Sequence, residues 1–283
     1  MLDRPVGLWW GVTVSPKSRG RPSGRGRSKA RSGGTVRQLR LSDRVLRDSA
    51  ALPQWGDVLA VERWASGWLG RAWRDARLGD RDALRLLCLE VAGRASNRPS
   101  PAGLAAVAAL RRVAPASEHA LLDGTIKLLA ESQPSPPWRE TPGFTAVRAW
   151  RAVDVRDSER VLFVEYAAPD DASTAHTLTA EVVTVSGRMI DRLALLRAGA
   201  AESWEELREP GEPPMPLTEA PVEDVLAEMA DVLRDTDLIW PRPDDEGFVE
   251  LRALAWSRCA PYQPDRPEFE PLPDAERPRR STR

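Results

Sequence analysis

The chain has 283 residues, 42% of them hydrophobic, with 11 tryptophans and a formal charge of −1. That is room for one or two domains around a sizeable core, and it excludes a wholly disordered polyelectrolyte. Two cysteines, Cys88 and Cys259, exclude a disulfide framework and point to a reducing cytoplasm.

The near-neutral total hides an asymmetry. Residues 4–42 hold ten basic residues and no acidic one, which leaves 31 basic against 42 acidic residues for the rest. A basic arm is therefore attached to an acidic body. All but three of the 41 basic residues are arginine, as a GC-rich coding bias would produce. No apolar run reaches the roughly 18–20 residues of a membrane span, so no membrane partner is expected. The opening MLDRPVGLWWGVTVSP has an apolar patch of signal-peptide size but no convincing cleavage site, so no secretory signal is expected.

Residues 1–50 read as a disordered basic arm. The run SPKSRGRPSGRGRSKARSGG is too poor in apolar side chains to offset the entropy of ordering. Within it, Thr35 to Arg47 offers only a nascent helix with a weak apolar side at Leu39, Val45 and Leu46. The first strong helix is expected over Asp57–Arg77, capped by Asp57, with Val61, Trp64, Ala65, Trp68 and Ala72 at three-to-four spacing. A second follows over Asp80–Ala95, with Leu84, Leu87, Cys88 and Val91 inward. Ser100-Pro101 is a cap followed by proline at the first helical position, and it opens a third helix. Pro115 and Ser117 open a fourth, carrying Leu121, Leu122, Ile126 and Leu129. Short connections make antiparallel neighbours of these helices.

The proline-rich QPSPPWRETP at 133–142 reads as the internal boundary, separating a helical subdomain at 55–133 from a sheet with helices at 143–260. Beyond it, Phe144–Val155, Val161–Tyr166 and His176–Val185 have strand length and strand composition. Ser186-Gly187 supplies a tight turn. Met189–Leu196 fits a helix as well as a strand, and the two-residue turn before it favours the strand. The four make an antiparallel meander. Glu202–Leu207 reads as a short helix and Glu209–Pro216 as a linker. Pro221 opens one C-terminal helix, and Asp244 or Asp245 caps the last. From Pro261 a disordered tail is expected. The fold class is α+β.

The combination of DVLAVERWASGWLGRAW at 57–73, PPW at 136–138 and a strand pair with His176 near its second strand resembles a family of uncharacterised actinobacterial proteins. The resemblance covers residues 55–200. It implies a helical N-terminal half and a β segment with a polar triplet, roughly Asp-His-Asn, followed by two glycines. Here that triplet position holds Val183-Thr184-Val185, and only Gly187 of the pair is present. The family brings no established activity.

Candidate chemistry centres on His176. As a general base or metal ligand it would need help from Asp170 or Asp171. As a structural residue it would sit half-buried near the sheet edge, with one ring nitrogen bonded to backbone. A metal site needs three or four convergent ligands, and the only other histidine is His119, on a distant helix. Asp154, Asp157 and Glu159 surround a turn, without the spacing of a calcium loop. Cys88 sits among leucines like a small apolar core residue. The tryptophans at 64, 68 and 73 read as core, with a partner surface as the alternative. No phosphate-binding loop, dinucleotide fingerprint, nucleophile elbow or zinc-protease motif occurs. The expectation is a non-enzymatic binding or regulatory protein acting through contacts with a protein partner, with no catalytic residue, metal or cofactor. One alternative is a nucleic-acid-associated protein whose arm binds weakly and without sequence preference. Another is a hydrolase or metal-dependent enzyme centred on His176.

Overall fold

The computed structural model describes residues 40–77, 82–184, 187–207, 215–243 and 245–262. Residues 1–39 of the expected arm, 209–214 of the expected linker and 263–283 of the expected tail lie outside the described residues, as do Asp80, Val185, Ser186 and Asp244.

Helix α1 (Leu41–Asp48) stands inside the stretch expected to be disordered. Half of its eight residues are charged, yet Val45 and, just after the helix, Leu52 are fully buried. Ser42 donates to Glu90, and Asp43 is paired with Arg94. Packed structure is therefore already present at residues 41–52, ahead of the expected start at 55. Helix α2 (Val58–Asp75) starts where the Asp57 carboxylate accepts from the amides of Leu59 and Ala60. Helix α3 (Ala83–Asn97) buries Leu87, Cys88 and Val91 as its spacing predicts. Helix α4 (Pro101–Val113) is capped by Ser100, whose hydroxyl accepts from the Gly103 amide. Every residue from Gly103 to Leu110 is buried, so α4 is the centre of the helical layer. Helix α5 (His119–Ala130) follows after a single 3-10 turn.

The sheet contains β1 (Thr145–Val153), β2 (Glu159–Ala168), β3 (Asp171–Val183), β4 (Met189–Leu196) and β5 (Leu217–Ala220). Its order is β4-β3-β2-β1-β5, antiparallel throughout. The four-stranded meander is present, and pairing of Met189–Leu196 with β3 settles it as a strand. At the turn before β4, Gly187 has φ +115°, which a side chain would strain. Strand β5 was not expected. Only four residues long, it lies between prolines 216 and 221 and pairs with β1 across from Ala149 to Ala152.

One sheet face packs on the helices: Leu162, Val164, Tyr166, Leu178, Ala180, Val182, Ile190 and Leu193 join the main core. The other face carries a smaller cluster of Ala152, Val161 and Phe163 beneath α6 (Ala200–Leu207). Trp204 meets Phe163 edge-on at 5.7 Å between centroids. Helices α7 (Val222–Asp237) and α8 (Glu246–Cys259) close the layer, and Asp245 caps α8 through the Phe248 amide at 2.6 Å.

The proline-rich segment does not divide the body. Trp138, inside it, is buried and its indole donates to the Leu52 carbonyl at 2.9 Å. One core runs from Val45 to Cys259. Helices α2 and α8 pack so closely that a Cβ on Gly70 would lie 1.7 Å from the Val249 carbonyl oxygen. The Ser66 hydroxyl, one turn earlier, accepts from the Leu254 amide at 2.9 Å.

Candidate functional site at the junction of α2, α8 and the sheet

Buried Glu62, Tyr166 and His176 and the largely buried Arg112 and Arg258 gather where α8 ends against the sheet. Antiparallel register places Tyr166 of β2 directly across from His176 of β3. The two rings stack, 5.1 Å between centroids and 10° from parallel. Phe144, just ahead of β1, meets the His176 ring edge-on at 4.6 Å. The last turn of α8 brings the Arg258 guanidinium to 5.2 Å from the Tyr166 ring and 5.7 Å from Phe144. Cationic charge over an aromatic face is favourable, most of all when water is excluded.

Arg258 is also anchored to α2. Its guanidinium donates to Glu62 at 2.5 Å, and Arg112 of α4 donates to the other carboxylate oxygen at 3.1 Å. Glu62 is 2% exposed. Its position explains this: it follows Val58 by four residues and precedes Ser66 by four, so it shares their inward stripe. Arg112 donates again to the Thr141 carbonyl, tying the proline-rich segment to the same point.

His176 is fully buried, and neither ring nitrogen has a hydrogen-bond partner among the described residues. The expected edge position and backbone bond are both corrected. Strand β3 lies between β2 and β4, so His176 is not at a sheet edge, and its face, with Leu178, Ala180 and Val182, packs into the main core. Burial pushes the imidazole down to about 3, the Arg258 charge adds to that, and Asp57 opposes it weakly. Burial also raises the Tyr166 phenol, whose hydroxyl has no partner among the described residues. The neighbouring Cys259 thiol is pushed up to about 12 by its burial. These groups are held neutral and packed, with the charge confined to Glu62, Arg112 and Arg258.

No family model, no curated protein and no solved structure matches this chain. The resemblance drawn from the α2 sequence, the PPW and His176 thus rests on those residues alone.

The other candidates fall elsewhere. Asp170 is exposed in the β2–β3 turn, beyond the Tyr166–His176 pair, and Asp171 begins β3. His119 opens α5, where its Nε2 lies 3.0 Å from the Ala114 carbonyl oxygen. Asp154 organises the β1–β2 turn by accepting from the Ser158 amide, the Ser158 hydroxyl and the Glu159 amide. The bond from the Glu159 amide is the main reason its carboxyl titrates lower than usual. Asp157, at φ +55°, is paired with Arg160. Cys88 is buried and its thiol raised to about 12. Among the described residues no three histidines, cysteines or carboxylates converge as a metal site. Trp68 and Trp73 are buried, and the indole nitrogens of Trp64 and Trp68 both donate to Asp48. That stripe is core rather than surface.

Sequence reasoning missed Glu62, Arg112 and Arg258. A carboxylate inside the apolar stripe of α2 was the available signal.

Proposed function

We propose that this protein is a binding protein that works through contact with another protein, at the outward face of α3. The observation that carries the reading is a pair of leucines turned away from the core. Leu86 is 51% exposed and Leu89 is 41% exposed, while Leu87, Cys88 and Val91 of the same helix are buried. Gly93 continues the outward stripe at the next turn, and a Cβ there would meet nothing within 4 Å. Two leucines and a bare glycine leave a flat apolar strip on which another surface can close. A partner burying both side chains would gain roughly 25 cal/mol for each Å² of apolar area removed from water.

The test is affinity capture from a cell lysate with the wild-type chain and with the L86R/L89R variant, beside thermal melts of both. The reading expects proteins captured by wild type to be lost from the variant while the melts coincide. Identical captures would reject it.

A second reading, nucleic-acid binding through the arm, is supported by the ten basic residues at 4–42 against the acidic remainder. Titration of labelled duplex DNA at two salt concentrations, with residues 1–39 present and removed, tests it. Equal binding by both forms would reject the arm as the contact.

A further inference from the structure

We propose that the contact between β3 and the last turn of α8 is an acid-sensitive latch, held shut by neutral His176 and opened when that imidazole takes up a proton. The His176 ring has neighbours from three parts of the chain. From β2 comes Tyr166, stacked on it, and from the segment before β1 comes Phe144, edge-on. Helix α8 contributes Arg258, while its Cys259, and Tyr262 of the next turn, lie toward Tyr166. Among the described residues Asp57 is the carboxylate that acts on His176, Glu62 reaches it through Arg258, and Asp237 is taken up by Arg252 and Trp256 of α8; all three are engaged. Glu62 gives one oxygen to Arg112 and the other to Arg258. Asp57 accepts from the Leu59 and Ala60 amides, and its other oxygen lies 3.5 Å from Arg197. A proton on His176 would therefore place a second buried cation beside Arg258, with no uncommitted anion and no hydrogen-bond acceptor on either ring nitrogen among the described residues. Burying an uncompensated charge is costly, and the structure relieves it by letting in water.

The element that yields is the end of α8. Strand β3 is held by ladders to β2 and β4 on both sides. The last turn of α8 has no such ladder: it is held by the Arg258 contacts, by buried Cys259 and by the Trp256 indole on Asp237, and helix ends are the first parts to open. The sign follows from linkage. His176 titrates near its ordinary value of about 6.5 when open and near 3 when closed. Closure is thus at full strength above about 6.5 and weakens as pH falls from there toward 3. Over that window the open fraction rises about tenfold per pH unit, because opening takes up one proton.

Hydrogen exchange read by mass spectrometry on the full chain tests this, with rates corrected for the intrinsic pH dependence of exchange. Between pH 6.5 and pH 4.5 the amides of Ser257–Cys259 should lose protection about fiftyfold, while those of α5 stay unchanged. His176→Phe keeps the ring stacking and removes the proton site, so its α8 end should show no such slope. His176→Gln serves the same purpose if the phenylalanine variant does not fold, which melts at pH 7 decide. Loss of protection in α5 in step with α8 would mean global acid unfolding and overturn the latch. So would an unchanged slope in either non-titrating variant, or full protection of Ser257–Cys259 at pH 4.5.

Discussion

Replacing Glu62 by Gln should be among the most damaging near-isosteric changes in the body. The carboxylate is 2% exposed and receives one charged hydrogen bond from Arg112 and one from Arg258. Their side chains are 14% and 10% exposed, so bulk water does little to rescue either. A glutamine keeps one acceptor and turns an amide N–H toward the other arginine. Removing one partner of a buried pair costs about 3–5 kcal/mol, mostly because the remaining charge is left uncompensated. Glutamine retains part of one bond, which places Glu62→Gln near the low end, at about 3 kcal/mol. Urea unfolding at pH 7, followed by tryptophan fluorescence and circular dichroism, would register this as a midpoint roughly 1–1.5 M lower, for a slope of about 2–3 kcal/mol per molar. The triple variant E62L/R112M/R258M tests the cause. With all three charges gone, stability should return most of the way, since a buried ion cluster contributes little net over apolar packing. A single-variant loss below about 1 kcal/mol, or a triple variant worse than the single, would refute the reasoning.

Two helical glycines should respond with opposite signs. Gly70→Ala must push α2 off the Val249 carbonyl and should cost about 1–3 kcal/mol or more, whereas Gly93→Ala meets open space and should gain about 0.5–1 kcal/mol; melting temperatures of the pair check both. Trp138→Phe removes the indole bond to the Leu52 carbonyl and should cost about 1–3 kcal/mol in the same urea assay. Starting the chain after residue 39 should leave its melt unchanged, while starting it after residue 54 removes buried Val45 and Leu52 and should broaden the transition or abolish it.

The helices were legible because each one buries a stripe. Val61, Ala65, Trp68 and Ala72 of α2 recur at the helical period, and Asp57 and Ser100 cap where short polar side chains stand before such stripes. Strand β5 was hidden because LTEA has no apolar alternation; its pairing with β1 comes from where Pro216 and Pro221 let the chain lie. Helix α1 was hidden for a related reason, since only Val45 of its apolar residues is fully buried and its place is held by polar ties to Glu90 and Arg94. For His176 the face was readable, with Leu178, Ala180 and Val182. Its depth was not, because that depends on α8, some eighty residues further along. Glu62 was passed over because a lone carboxylate on a helix ordinarily marks the wet side; its arginine partners come from α4 and α8, where no local pattern predicts them.

The α2–α8 contact has a consequence for the order in which the molecule is built. Helices α2 to α5 leave the ribosome early, yet the strip of α2 around Gly70, Ser66 and Glu62 stays uncovered until residues 246–259 have been made. Its partners lie 188 and 196 residues away along the chain at Ser66–Leu254 and Glu62–Arg258. Closing such distant contacts is slow compared with pairing neighbours, and the exposed strip is meanwhile open to other nascent chains. Synthesis halted before α8 would leave a helical fragment with the α8-facing strip uncovered and Glu62 paired with Arg112 alone. Such a fragment is a natural client for a chaperone, and co-translational capture should end abruptly once α8 emerges.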